Sequence, residues 1–334
     1  YNSNSQRLWA LRQVHTNVSA FDTSAFNYSV MNANGYAAKL LKTPFFIKKA
    51  RALNAALLDT CLRVKPQIIW MEWPREVFPD TIRKIRASLP GSTFICFQDD
   101  NPWGERKGDF WQWKYYIENI PLFDLHLAKR EQDLEHLKSL GAPNARLWQH
   151  GVYSPVFYPD QNPDTPRKYS ISFVGTCMDG RSKLIGDLIA AGIEIHVFGS
   201  RWDSRSNLPR KHPHLFHGPV TGKDYADVLR QSSMCLGLVS HSNKDEWTMR
   251  SYEIPGCASV LVGERTRAHQ ELFEEEQECI LFSSAEECIE LVRKFQKNEE
   301  TCRSIGHTAF EKCIAGRYML ENRFEDQVGT VVKA

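Results

Sequence analysis

The sequence predicts two α/β domains, each built on a doubly wound parallel sheet, and three observations carry that prediction. The chain has 334 residues, enough for two separate cores. Short continuous apolar runs, the mark of strands covered on both faces, alternate with segments of helical period. Between Tyr153 and Lys168 the alternation stops, and Pro155, Pro159, Pro163 and Pro166 sit among Asp, Asn, Gln and Thr, a linker composition. The expected organisation is an N-terminal domain over 1–152, a linker over 153–168, a second domain over 169–315 and a final helix over 316–334.

In the first half the helical run Gln6–Val14 comes where such a domain ordinarily opens with a strand, so an apolar strand is expected to precede Tyr1 in a longer native chain. Asn17–Asp22 reads as the next strand. Pro44–Arg63 reads as a helix, with Ile47, Ala50, Leu53, Leu57, Leu58 and Leu62 on one period. Gln67–Met71 and Ser92–Phe97 are buried strands with the helix Pro79–Leu89 between them. Leu125–Ala128, the helix Lys129–Leu140 closed by Gly141, and Asn144–Gln149 complete this half. The second half repeats the alternation: strand Tyr169–Gly175, helix Asp179–Ala191, strand Ile193–Gly199, helix Thr221–Ser233, strand Met234–Val239. Further helices are expected over Arg267–Glu276, Ser284–Lys297, Asn298–Cys313 and Arg317–Val332, with capping boxes at Thr221–Asp224 and Ser284–Glu287.

The chemistry is expected in Asn243–Cys257, between the apolar run Met234–Val239 and the strand Ser259–Val262. A short helix should begin near Thr248, whose hydroxyl can cap the first turn, and Pro255 and Gly256 should end it within two turns. Free amides there, with the Arg250 fork, suit phosphate oxygens. Asp245 in the loop and Glu253 on the helix, eight residues apart, can accept hydrogen bonds from two separate diols.

Arg250-Ser-Tyr-Glu-Ile-Pro-Gly-Cys257, followed by Val260-Leu-Val262 and Glu271-Leu-Phe273, resembles the CgeB-like (spore maturation protein) glycosyltransferases of the GT-B class. The resemblance implies two Rossmann-like domains with an interdomain cleft, the C-terminal one binding a nucleotide-sugar, and a last helix that crosses back to the N-terminal domain. It matches the E-x7-E pattern of such enzymes with Asp245 first and Glu253 second. Glu253 would then bind the nucleotide ribose, and residues around Asp245, Thr248 and Met249 would face the donor. The sequence departs from the pattern at Asp245, which is shorter than Glu, and at Gly256-Cys-Ala258, where the family more often has Ala-Cys-Gly.

Ligands of open parallel sheets bind beyond the carboxyl ends of the strands, and this ranks the other candidates. Gly175-Thr176 follows a strand, with Arg181 on the next helix: Gly permits close approach to a diphosphate and Arg181 can neutralise it, or the arginine is a solvated helix-end charge. Arg201 beside Trp202, and His217-Gly218, follow the next two segments. The resemblance places these loops beside the nucleobase; otherwise Trp202 and His217 are loop anchors. In the N-terminal half Asp99 and Asp100 lie just past a strand. One of the pair can act as general base, or Asp99-Asp-Asn-Pro102 is an Asx turn. Glu72 has the same placement, and His150 near the hinge reads as structural. Trp103, Phe110, Trp111, Trp113, Tyr115 and Tyr116, with Arg106, Lys107 and Lys114, form an aromatic-rich stretch that packs as core or lid and is the first choice for acceptor recognition.

A formal charge of +2 gives no electrostatic argument for nucleic acid, and no apolar run approaches a membrane span. Nine cysteines without a C-x-x-C pair read as buried, reduced thiols of a cytoplasmic protein. The histidines are scattered, His212-Pro-His214 being the nearest pair, so no metal site and no cofactor beyond the nucleotide-sugar is expected. The sequence therefore predicts a metal-independent glycosyltransferase acting on a glycan, lipid-linked or protein acceptor. A nucleotide-sugar epimerase or hydrolase, and a non-catalytic sugar-nucleotide-binding module, are the rival readings.

Overall fold

The computed structural model describes residues 3–26, 40–42, 48–103, 110–162 and 164–329. Arg106, Lys107, Pro163, the first turn expected for Pro44–Arg63 and the end of the helix expected to reach Val332 lie outside them.

Packing divides the chain into two units. One holds His150–His241 and Asp245–Asp326 together with the helix Ser3–Val14. The other holds His15–Gln149, Ser242–Lys244 and the chain from Gln327. The N-terminal helix, placed by sequence in the first half, is thus grouped with the second, where Trp9 meets Tyr153 edge-on at 5.1 Å.

The smaller unit carries a parallel sheet of β1 (Ile68–Glu72), β2 (Thr93–Gln98), β3 (Leu125–Ala128) and β4 (Ala145–Leu147), in that order. All four residues of β3 are buried, as a strand with cover on both faces requires. Ile69, Met71, Phe94 and Cys96 pack against Leu53 and Leu57 of the helix Lys48–Val64 and Ile82 and Ile85 of the helix Pro79–Ser88. Asn17–Asp22 is not the strand expected. It runs as irregular chain, because the segment offers only Val18 and Phe21 as sizeable apolar side chains, and Phe21 stacks on Phe26 instead of entering a sheet.

The larger unit carries β5 (Tyr169–Val174), β6 (Ile195–Phe198), β7 (Phe216–His217), β8 (Ser232–Gly237), β9 (Val260–Glu264) and β10 (Ile280–Phe282), all parallel, in the order β10-β9-β8-β5-β6-β7. The strand order reverses between β5 and β8. That switch point is where two adjacent loops leave in opposite directions and open a crevice at the carboxyl ends of the strands. Ile280–Phe282 is a strand the sequence reading passed over: its apolar run, Cys279–Phe282, has only four residues.

The expected caps divide. Ser284 Oγ accepts the Glu287 amide at 3.2 Å, whereas the Thr221 hydroxyl makes no capping bond. Gly141, at φ +86°, ends the helix Glu131–Ser139. The stretch 153–168 is fastened to the larger unit at residues 156–158 and again at Lys168. Val156 and Phe157 are buried, Arg230 donates to the carbonyls of Val156 and Tyr158 at 3.1 and 3.2 Å, and the Lys168 amide donates to Gln231 at 2.8 Å. All nine cysteines are unpaired and buried. Among the described residues no helix is long and apolar enough to cross a membrane.

Candidate functional site

The site is built where β5 and β8 diverge. After Val174 the chain passes through Gly175 so tightly that a Cβ there would lie 2.6 Å from Phe173 Cζ and 3.3 Å from an Arg250 Nη. Phe173 is wholly buried and cannot yield, so only glycine fits. The Gly175 carbonyl accepts the Trp202 indole at 2.9 Å and stands 2.1 Å from where a Cβ on Gly199 would be. The ends of β5 and β6 are thereby pressed together. The Thr176 and Ser200 hydroxyls meet at 3.1 Å beside them.

Arg181 opens the helix Arg181–Ala190 and is buried, with 6% of its surface exposed. It donates to the Thr176 carbonyl at 3.2 Å and to the Leu238 and Val239 carbonyls at 3.3 and 3.2 Å. One guanidinium therefore joins the β5 loop to the β8 loop across the switch point. Its position on a first helical turn followed by Lys183 gave it the look of a surface charge, and only the fold shows that it turns inward. Burial, and after it the like charge of Arg250, pushes its pKa down to about 10.

Arg250 begins the helix Arg250–Gly256, seven residues long, as the breakers Pro255 and Gly256 predict. Its Nε donates to the Val174 carbonyl at 2.5 Å, which brings the guanidinium to Gly175. Glu253, one turn on, is 5% exposed and accepts the Tyr225 hydroxyl at 2.8 Å. Burial raises its pKa, while Arg250 and the Tyr225 bond oppose the shift. Tyr225 comes from the helix Gly222–Arg230 and carries no motif that the sequence could have offered.

Thr248 does not cap this helix. Met249 is the N-cap residue and contributes no side-chain bond, while the Thr248 Oγ1 is buried with no hydrogen-bond partner. The Ser251 hydroxyl instead accepts the Thr248 amide at 3.0 Å. A helix this short also has little macrodipole, so the positive field of the site comes from the two guanidinia. Asp245 is buried in the preceding loop, its amide bonded to the Ser240 carbonyl at 3.0 Å.

Arg201 is exposed at φ +64°, just past Gly199. The His217 ring does not point to open solvent: it stacks on Phe198 at 4.4 Å and meets His196 nitrogen to nitrogen at 3.1 Å. Burial lowers the pKa of both histidines. Gly218 is exposed with open space around its Cα.

The N-terminal candidates sit at the carboxyl ends of β1 and β2. Asp99 Oδ1 accepts the Trp73 indole at 2.6 Å, and its carbonyl accepts both terminal nitrogens of Arg130 at 2.8 and 2.7 Å. The Asp100 carbonyl accepts Gln98 at 3.1 Å, and Glu72 Oε1 accepts the Trp70 indole at 2.9 Å. Asn101 Oδ1 accepts the Trp103 amide at 3.0 Å, so the Asx turn at Pro102 exists and Asn101 heads it. Trp111, Trp113, Tyr115 and Tyr116 are buried in the core, and Trp103 packs on His136 at 4.7 Å. His150 is buried against Trp247 and Tyr252.

The chain shares its architecture with several solved structures. Sucrose-phosphate synthase from Thermosynechococcus elongatus matches with a TM-score of 0.61 at 14% identity, over 86% of this chain and 78% of that one. HepE from Anabaena, in complex with UDP-glucose, matches with 0.62 at 10% identity, over 84% and 82%. The fold is GT-B. TarM of S. aureus, at 0.59 and 11% identity, covers 83% of this chain, which spans 58% of TarM. A family model described as glycosyl transferase-like matches residues 181–328, the stretch from Arg181 through the Asn243–Cys257 loop and helix. Comparison with curated sequences finds no significant match.

Proposed function

We propose that the chain is a glycosyltransferase of the CgeB-like kind, moving a sugar from a nucleoside-diphosphate donor to an acceptor hydroxyl. The observation that carries this reading is the pairing, at one GT-B switch point, of a diphosphate cradle with a buried carboxylate. Gly175 and Arg250 form the cradle, backed by Arg181, and Glu253 lies one turn beyond Arg250. Arg250 binds the phosphate oxygens and takes up charge on the leaving diphosphate through charge-assisted hydrogen bonds. Arg181 adds charge from behind and holds the two loops in register. Glu253, already bonded to Tyr225, accepts from the ribose hydroxyls. Asp245 and Met249 face the transferred sugar, and Thr248 faces the donor's phosphates. Arg201, His217 and Gly218 border the base, with the backbone of the last two available for its edge. This route needs no metal ion. A glycan, lipid-linked or protein acceptor is presented by the N-terminal unit. In an inverting reaction Asp99, Asp100 or Glu72 takes the acceptor proton, and in a retaining one the leaving diphosphate does. The protein works in the cytoplasm.

The HepE complex with UDP-glucose supports a sugar-nucleotide donor for this fold, and the family match supports transfer chemistry. The test is a thermal-shift panel of nucleoside diphosphates followed by product analysis with the matching nucleotide-sugars, with and without acceptor sugars. Transfer to an acceptor is the expected result. Conversion of the donor that ignores the acceptor would replace the reading with an epimerase or hydrolase, and binding without turnover would replace it with a binding module.

A further inference from the structure

The Ser251 hydroxyl and the His269 imidazole, both wholly buried, meet at 2.7 Å between Oγ and Nε2. The direction of each bond around them follows from which atoms can donate. His269 Nδ1 lies 2.7 Å from the Glu264 carbonyl oxygen, which only accepts, so Nδ1 carries a proton. Burial disfavours the imidazolium, with the Glu264 carbonyl and charge opposing, so the ring's pKa lies below the ordinary 6.5. A neutral ring protonated at Nδ1 leaves Nε2 bare. Ser251 must donate to it, and a lone pair of the same oxygen accepts the Thr248 amide at 3.0 Å.

A chain of hydrogen bonds thus runs from the end of β9, through His269 and Ser251, to the Thr248 peptide. The same strand end fastens the start of the loop. Glu264 Oε1 accepts the Val239 amide at 2.9 Å, and Thr266 donates to the Glu246 carbonyl at 2.6 Å while accepting the His269 amide at 3.1 Å. What these bonds immobilise is a turn whose Thr248 hydroxyl is buried and makes no hydrogen bond, and whose next side chain but one is Arg250.

We propose that Ser251 and His269 are positioning residues, which hold the Thr248 hydroxyl and the Arg250 guanidinium in the geometry that receives the donor's phosphates. The inference rests on the nucleotide-binding reading above and assigns the buried pair a part in it. A hydroxyl left without a partner inside the protein lacks an acceptor that a bound phosphate oxygen supplies, and only a rigid turn keeps it from collapsing onto a neighbouring carbonyl.

Three measurements test this. In the native protein, long-range proton–nitrogen NMR should show His269 protonated at Nδ1 and bare at Nε2 at neutral pH; the opposite tautomer overturns the bond directions and the proposal. In Ser251→Ala, exchange of the Thr248 amide should quicken by about tenfold or more, and affinity for inorganic pyrophosphate should fall about tenfold, the loss of roughly one hydrogen bond. Affinity for the free nucleoside should not change. Ser259→Ala is the control: it removes an equally buried hydroxyl that donates to the Leu229 carbonyl at 2.6 Å, and it should alter neither reading. Equal pyrophosphate loss in both variants, or none in Ser251→Ala, overturns the positioning role while the nucleotide site stands. A native protein that binds neither pyrophosphate nor any nucleoside diphosphate instead removes the reading on which the inference rests.

Discussion

Arg181 and Arg250 look alike in sequence, yet their replacement should have opposite consequences. Arg181→Ala removes three donors from carbonyls at the ends of β5 and β8 and the cation that lies over the Phe173 ring at 5.6 Å. Each bond from a charged donor contributes about 1.5–3 kcal/mol. Part of that sum is returned, because the fold holds this cation less readily than water does, as the fall of its pKa to about 10 records. A net loss of about 3 kcal/mol is expected, and a domain of this size should then melt about 6–12 °C lower. Arg250→Ala removes one backbone bond from a half-buried side chain and should cost the fold about 1.5 kcal/mol, the low end of that range. It should weaken nucleoside diphosphate binding by about 1.4–2.8 kcal/mol, ten- to a hundredfold, and leave the bare nucleoside unaffected. Differential scanning calorimetry and titration calorimetry on the two variants suffice. An Arg181→Ala protein that melts with the native one, or an Arg250→Ala protein with native diphosphate affinity, would refute the division of labour.

Glu253→Gln should lower nucleotide affinity by about 1–2 kcal/mol and raise stability near neutral pH. The native carboxyl has a raised pKa, so its burial costs nothing below the ordinary value of 4.5 and becomes a penalty as pH climbs through the folded value. Urea melts at about pH 4 and about pH 8 should therefore show the variant's advantage only at the higher pH. Gly199→Ala drives a methyl into the Gly175 carbonyl, 2.1 Å away, and should cost about 3 kcal/mol or more while abolishing diphosphate binding; intact binding would show the strand ends to be more pliant than described. Asp99→Asn and Asp100→Asn should each leave donor affinity unchanged, and whichever removes the acceptor base should slow transfer about a hundredfold or more. Normal turnover in both, with Glu72→Gln also active, points to the diphosphate as the proton acceptor.

The sequence reading and the structure agree where apolar period alone decides the outcome. Strands β1, β2, β3, β5, β6 and β8 and the short helix after Met249 are set by runs of buried side chains and by the breakers Pro255 and Gly256. Agreement ends where a residue's role depends on what lies opposite it. Thr248 has the right chemistry for a cap, but the Ser251 amide that its hydroxyl would hold donates to the Thr248 carbonyl instead, at 3.0 Å. Arg181 reads as a diphosphate contact or a solvated helix-end charge, and neither reading shows its inward turn, because two of the carbonyls that receive it are 57 and 58 residues away. Tyr225, the partner of Glu253, belongs to an ordinary amphipathic helix with nothing to distinguish it. His217 has the look of a ligand contact until Phe198 and His196 are seen against its ring.

The proline-bearing stretch between the two sheets has a consequence beyond connection. Phe157, in the middle of it, packs edge-on against the Tyr225 ring at 5.4 Å, and Tyr225 holds the Glu253 carboxylate. Arg230, the last residue of Tyr225's helix, ties the flanking carbonyls of Val156 and Tyr158 to that same helix. The segment therefore behaves as a tension member, not as slack rope. A residue inserted or deleted between Tyr153 and Tyr158 would move Phe157 out from under the tyrosine, and the disturbance would surface in a carboxylate some hundred positions further along the chain. Natural variation in the length of this strip should accordingly be confined to the exposed pair Gln161 and Asn162, beyond the reach of Arg230.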